Sequence, residues 1–233
     1  MMAPKDFGRE LYPFLYPSGA DTHNGTRGSR EALLDAVKRS TFEKCADTMA
    51  LRRELASEYH EQLVSAAGAM AERFARGGKL MACGNGGSAT DADDAAADCV
   101  MPPFSHWRAF PALSLSADSA SVTAIANDVG LDNVFVRQII ALGERGDIVL
   151  GISTSGSSAN VVSALAQAKR RGMLTVALTG YDGGEIVRDG RADFCFVARR
   201  EFVPRIQEGH ATLWHALLEL THFALSERPE MSA

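Results

Sequence analysis

Apolar residues recur at three- and four-residue steps from Arg30 to Arg76. Leu33, Leu34 and Val37 fall on one face, and Met49, Leu51, Leu55, Tyr59, Leu63, Ala66, Met70 and Phe74 follow mostly at the same steps. That period predicts a long helix, which Gly77-Gly78 ends. Beyond Gly78 the pattern changes. Short apolar runs over 79–83, 112–116, 147–153, 174–179 and 193–198 alternate with helix-like stretches over 88–99, 119–126, 132–143, 157–171 and 183–188. This rhythm predicts an α/β fold, a parallel sheet covered by helices on both faces. A final helix spans about 204–226, with Ile206, Leu213, Leu217 and Leu220 as its buried stripe. Residues 1–28 share none of these periods. They read as an arm whose Phe14, Leu15 and Tyr16 pack on the body or on a neighbouring subunit, followed by a flexible stretch. The expected organisation is this arm and one domain over 29–233 with helices at its N-terminal side.

Composition narrows the function classes. Of the 233 residues 46% are hydrophobic and 23% charged, near the globular average, so wholesale disorder is excluded. No apolar run approaches the roughly 18 residues that would span a bilayer. The start MMAPKDFGRE lacks the apolar core of a secretory signal. A net charge of −5 without a basic block argues against a nucleic-acid or anionic-membrane binder. Cys45, Cys83, Cys99 and Cys195 form no C-x-x-C pair and read as buried free thiols in a reducing cytoplasm. The expected partner is a small molecule.

Two loops follow predicted strands, at the sheet edge where open α/β folds bind ligands. In the first, Cys83-Gly84-Asn85-Gly86-Gly87-Ser88, glycines let backbone N–H groups approach an anion, and Ser88 is placed to cap the following helix. An ordinary glycine turn reads equally well. No G-K-[ST] follows, and no acidic residue is placed for a ribose, so no nucleotide cofactor is expected. The second loop, Ser153-Thr154-Ser155-Gly156-Ser157-Ser158-Ala159-Asn160, sets five hydroxyls before a helix. Capping needs one hydroxyl, so the remainder point to an anion-binding cradle, and its neutrality suits a phosphate monoester on a small metabolite.

The segments CGNGGSATDADDAAAD, AIANDVGLDNVFVRQI, GERGDIVLGISTSGSSANVVSALAQAKRRGM, VALTGYDGG and RIQEGHATLWHALLEL, in that order, resemble the sugar-isomerase (SIS) domain family, more narrowly its phosphoheptose isomerase branch. The resemblance covers roughly residues 48–226. It implies a three-layer α/β/α sandwich on a five-stranded parallel sheet, a homotetramer, and sites formed partly between subunits. It also implies conversion of sedoheptulose 7-phosphate to glycero-manno-heptose 7-phosphate, often with zinc present. By position it implies Ser153, Thr154, Ser155 and Ser158 as the phosphate cradle. Asn85, Gly86, Gly87, Ser88 and Gln207 would contribute to substrate binding, and Asp118 would contact sugar hydroxyls. Asp98 and His215 would be the acid/base pair of a 1,2-proton shift through an enediol.

The chain departs from the branch at its catalytic helix. Where a His and, four residues on, a Glu are expected, it carries Asp94 and Asp98, which still share one helix face. Asp98 is shorter than a glutamate by about 1.5 Å. Pro204 stands where an acidic residue is frequent. The implied metal set is Asp94, Asp98, Gln207 and His215, with one nitrogen among four ligands, which suits a harder cation or none better than zinc. Asp91 and Asp93 read as a solvated acidic face. His210 reads equally as a packing or a catalytic residue, and the His106-Trp107 pair carries little. A second function class stays open: a non-catalytic SIS module binding a phosphosugar or a protein as regulator or adaptor, a role the arm over 1–28 would fit.

Overall fold

Each strand is apolar on both sides. Leu80, Ala82, Ile148, Leu150, Ile152, Val176, Leu178, Phe196 and Ala198 are buried in one layer, and the alternate residues Met81, Cys83, Val149 and Ala177 in the other. Strands of this kind need cover on both faces. In the computed structural model, which describes residues 30–227, they are β1 (Leu80–Gly84), β2 (Ala112–Ser114), β3 (Ile148–Ser153), β4 (Leu174–Gly180) and β5 (Phe194–Ala198). They form one parallel sheet in the order β2-β1-β3-β4-β5. The helices are α1 (Arg30–Ala75), α2 (Gly87–Val100), α3 (Ser119–Val129), α4 (Val134–Leu142), α5 (Ala159–Arg170), α6 (Gly184–Arg188) and α7 (Val203–Ser226). The architecture is the expected three-layer sandwich. The arm over 1–28, with Phe14, Leu15 and Tyr16, lies outside the described residues.

The chain divides into two compact units, Met1–Glu43 and Lys44–Ala233. In the first, residues 30–43 are helical and Leu33, Leu34, Val37 and Phe42 are exposed. In the second, α1 buries Leu51, Leu55, Tyr59, Leu63, Met70 and Phe74 in the layer that also holds α2 and α7. Met49 is exposed, so the buried stripe starts at Leu51. The other layer is built from α4, through Val134, Phe135 and Ile139, and α5, through Val161, Leu165 and Ala168. The expected stripe of the last helix is buried at Ile206, Leu213 and Leu217 and half-buried at Leu220. Burying such side chains stabilises the fold by roughly 1.5–3 kcal/mol each.

Some boundaries move for local reasons. β2 stops at Ser114 and does not reach 116. The helix expected from 157 starts at Ala159, because Ser157 and Ser158 belong to the preceding loop. A 3₁₀ turn over Leu131–Asn133 precedes α4. Of the four free cysteines, Cys83 and Cys99 are buried, Cys195 is intermediate and Cys45 is exposed, which corrects the expectation of four buried thiols. Burial pushes the Cys83 and Cys99 thiols up to about 12. Among the described residues no helix is long and apolar enough to cross a membrane.

Two polar clusters fix the frame. The buried Asp147 accepts from the backbone N–H of Lys79 (3.0 Å), the Lys79 ammonium (2.6 Å) and the backbone N–H of Glu144 (2.7 Å), joining the starts of β1 and β3. At the start of α7 the buried Arg205 bonds Asp47 (2.8 Å), Thr48 and Glu208, while Arg200 reaches Asp47 (3.1 Å) and Glu54 (2.8 Å). Burial pushes the Asp47 carboxyl up, but the hydrogen bonds and charges of Arg200 and Arg205 together outweigh it and hold the group below its ordinary value.

His210 on α7 is fully buried, and its Nε2 lies 2.9 Å from the Thr179 carbonyl oxygen, an acceptor only, so Nε2 carries the proton. Burial lowers its pKa to about 4, against the weaker opposing pull of that hydrogen bond. The unfolded chain therefore binds a proton at this residue near pH 6.5 and the folded chain only near 4, so this contribution to stability falls as pH drops through that window. Urea unfolding at pH 7 and pH 5 should show the parent losing about 2 kcal/mol more than His210→Gln. Equal losses would mean that His210 is not held neutral.

Candidate active site

The sheet order places β1 beside both β2 and β3. The chain leaves β1 into α2 on one face and leaves β3 into α5 on the other, so the two exits diverge and open a crevice at the C-terminal sheet edge. Both predicted loops lie there. In the first, Gly86 at φ 57° is the cap residue of α2, and Ser88 is buried inside the first turn with its N–H on the Asn85 carbonyl (3.0 Å). This corrects the expectation that Ser88 caps the helix, since the positive φ of Gly86 turns the chain two residues earlier. A Cβ on Gly87 would stand 2.1 Å from Gln207 Nε2, so α7 seats this glutamine directly on the loop.

In the second loop Ser158 holds the cap position of α5, yet its hydroxyl makes no capping bond and lies 2.9 Å from the Ser153 hydroxyl. Ser155 Oγ is 3.5 Å from Ser153 Oγ and accepts from the N–H of Ser157. Three hydroxyls thus converge at the N-terminus of a 12-residue helix. Thr154, half-buried, lies in the same turn. The fifth hydroxyl is used elsewhere, because Ser157 Oγ accepts from the N–H of Glu185 (3.0 Å). Gly156, at φ 63°, seats the loop on the turn before α6, and a Cβ there would meet the Gly183 carbonyl oxygen at 2.1 Å.

A residue outside the candidate set joins the loops. The buried Asn160 and the exposed Asn85 exchange two amide hydrogen bonds of 2.9 Å each, and Asn160 Oδ1 also accepts from the N–H of Val161 (3.0 Å). Its one sequence signal was its place at the end of the hydroxyl-rich loop.

The remaining candidates lie where α2 faces α7. Asp94 is exposed and Asp98 half-buried. Asp98 Oδ2 is 3.8 Å from His215 Nε2, an ion-pair separation, and it accepts from the Trp214 indole N–H at 3.0 Å. Gln207 Nε2 lies 3.5 Å from Asp91 Oδ2. Burial raises the Asp91 carboxyl, against the pull of the Gln207 amide, with the Asp94 charge adding to the rise. Asp91 is therefore tied into the site, whereas Asp93 is exposed as expected of a solvated face. A cavity of about 90 Å³ lies against Asp91, Asp94, Ile152, His210 and His215. A second, of about 310 Å³, lies against Asp98, Phe104, Trp107 and His215. Asp118 caps α3, taking the N–H groups of Ala120 and Ser121 and the Ser121 hydroxyl (2.6 Å), and that hydroxyl above all holds its carboxyl below the ordinary value. Trp107 stacks on His222 with centroids 4.3 Å apart, so the His-Trp loop is packed onto α7.

These residues do not fit a zinc ion. Asp98 Oδ2 already holds the indole N–H, Gln207 turns its amide nitrogen toward Asp91, and the set offers one nitrogen. Among the described residues no three His, Cys, Asp or Glu side chains come together as a ligand group.

Comparison with known proteins identifies the family. Residues 45–180 match the SIS domain. A phosphoheptose isomerase from Roseiflexus sp. is 39% identical over 193 residues, 83% of this chain and 97% of the relative. One from Pelobacter propionicus is 46% identical over 176 residues, 76% of this chain and 92% of the relative. The solved phosphoheptose isomerase of Neisseria gonorrhoeae superposes with a TM-score of 0.72 at 37% identity, covering 78% of this chain and 97% of that one. The chain belongs to the SIS domain family and, within it, to the phosphoheptose isomerases.

The seat of Gly156 is testable. Gly156→Ala should destabilise the chain by on the order of 1–3 kcal/mol from backbone strain alone. It should also weaken sugar-phosphate binding about tenfold as the hydroxyls separate. Thermal melts and calorimetric titration read the two effects, and an unchanged affinity would remove the loop from the binding site.

Proposed function

We propose that this chain interconverts ketose and aldose phosphosugars, with sedoheptulose 7-phosphate and D-glycero-D-manno-heptose 7-phosphate as its pair. The observation that carries this reading is Asp98 Oδ2 lying 3.8 Å from His215 Nε2, both residues lining one cavity, in a chain whose second loop gathers three hydroxyls. The converging hydroxyls of Ser153, Ser155 and Ser158 and the N-terminus of α5 hold the phosphate, with Thr154 in the same turn. Asn85, Ser88 and Gln207 border the chain of the sugar, and Asp118 stands at the rim. Both neighbours of Asp98 fall on Oδ2, which leaves Oδ1 for the substrate. Asp98 takes the proton from C1 of the ketose while His215 protonates the C2 oxygen, giving a 1,2-enediol. The same two groups then return a proton to C2 and remove the one on the C1 oxygen, leaving the aldose with no net change in atoms.

The His215 side chain is 69% exposed within one chain, which supports a site completed by a neighbouring subunit, as in the homotetramer the resemblance implies. A cytoplasmic location suits this reading. The reaction runs here without zinc, since the set Asp94, Asp98, Gln207 and His215 provides too few nitrogens.

An NMR time course with sedoheptulose 7-phosphate tests the function. The parent should form an aldoheptose phosphate, and His215→Gln should slow this by about 10²–10⁴-fold while still binding the sugar phosphate. Saturable binding without conversion by the parent would move the chain to the regulator or adaptor class. Metal analysis of protein purified without chelator should find far less than one zinc per chain. Stoichiometric zinc would overturn the zinc-free reading.

A further inference from the structure

Asp98 sits one methylene short of the glutamate that the phosphoheptose isomerase pattern places there, so something must hold its carboxylate where a longer side chain would reach. The residue beside His215 is bonded to that carboxylate. Trp214 is 4% exposed, packed among the apolar residues shared by α1, α2 and α7, and its indole Nε1–H donates to Asp98 Oδ2 at 3.0 Å. An indole N–H can only donate and needs an acceptor when buried. Successive residues on a helix point about 100° apart. Trp214 and His215 therefore approach the same oxygen from two directions, one as a fixed hydrogen bond and one at 3.8 Å. The ring is set by the core, and through its N–H the core sets the carboxylate.

We propose that Trp214 is a positioning residue for Asp98, holding Oδ2 so that Oδ1 faces the reacting carbon. Two properties of this placement matter. The bond fixes a side chain that is only half-buried, and misplacement by about 1 Å costs roughly a hundredfold in rate. It also gives Oδ2 a neutral donor that carries no proton into the reaction, which reserves His215 for the substrate oxygens. The inference rests on the reading of Asp98 as the base.

Trp214→Phe keeps the buried ring and removes the N–H. Its kcat should fall roughly ten- to a hundredfold, with KM for the sugar phosphate within about twofold of the parent and a melting temperature lower by only a few degrees. An unchanged kcat overturns the proposal, and so does a variant whose KM rises and stability collapses together, since that is a packing role alone. If the variant fails to fold, the indole N–H spectrum decides. The chain has two tryptophans. Asp98→Ala should move the Trp214 signal upfield and leave that of Trp107 in place, and an unmoved Trp214 signal overturns the proposal. Asp98→Asn separates the two ideas. If that variant keeps the parent's turnover, the reading of Asp98 as base fails. If it is inactive while Trp214→Phe is not, only the role of Trp214 fails.

Discussion

The reciprocal amide pair between Asn85 and Asn160 spans the place where the chain leaves the sheet in opposite directions, and the site is arranged around it. A sheet apolar on both faces must send its crossover helices to both sides, and with β1 between β2 and β3 that divergence falls between the exits of β1 and β3. A crevice opened this way exposes two helix N-termini with unsatisfied N–H groups. The paired amides bridge the two loops with both carboxamides bonded in two directions, which ties the loops at a fixed separation. A hydroxyl-rich loop held this way would take an anion with little reorganisation, because its hydroxyls are already convergent.

The other wall is the work of α7. This one helix brings Arg205 to Asp47, Gln207 to Gly87, His210 to the Thr179 carbonyl, Trp214 to Asp98, and His215 to the same carboxylate. The Arg205 cluster at its start and the buried His210 one and a half turns later fix where the helix begins and how it is rotated. Rotation matters because a change of a few tens of degrees about the axis would carry Trp214 and His215 away from Asp98 together. The core side chains Ile206, Leu213 and Leu217 of α7, buried in the same cluster as Trp214, resist such a change.

Much of this was legible along the chain. The five strands and the helices between them follow from two-sided apolar runs and helical periods, and both site loops follow from glycine and hydroxyl clusters at strand ends. The expected capping role of Ser88 fails because backbone conformation decides it. Ser88 is displaced from the cap by the positive φ of Gly86, while Ser158 occupies a cap position without capping because its hydroxyl turns to Ser153. Asp91 read as solvated because carboxylates on a helix usually are, and only the approach of Gln207 from α7 makes it part of the site.

The sequence by itself determined the class of fold, the edge of the sheet that carries the site, and which residue types line it, since these depend on local period and on residues near one another in the chain. The tertiary structure decided which polar side chains meet. Asn160 reads along the chain only as the end of a loop, and Trp214 carries no signal there at all. Their roles depend on partners 75 and 116 positions away, brought within 3.0 Å by the packing of whole helices against the sheet. A hydrogen bond of that length tolerates errors of a few tenths of an ångström, and periodicity in a sequence fixes helix position and rotation far more loosely than that.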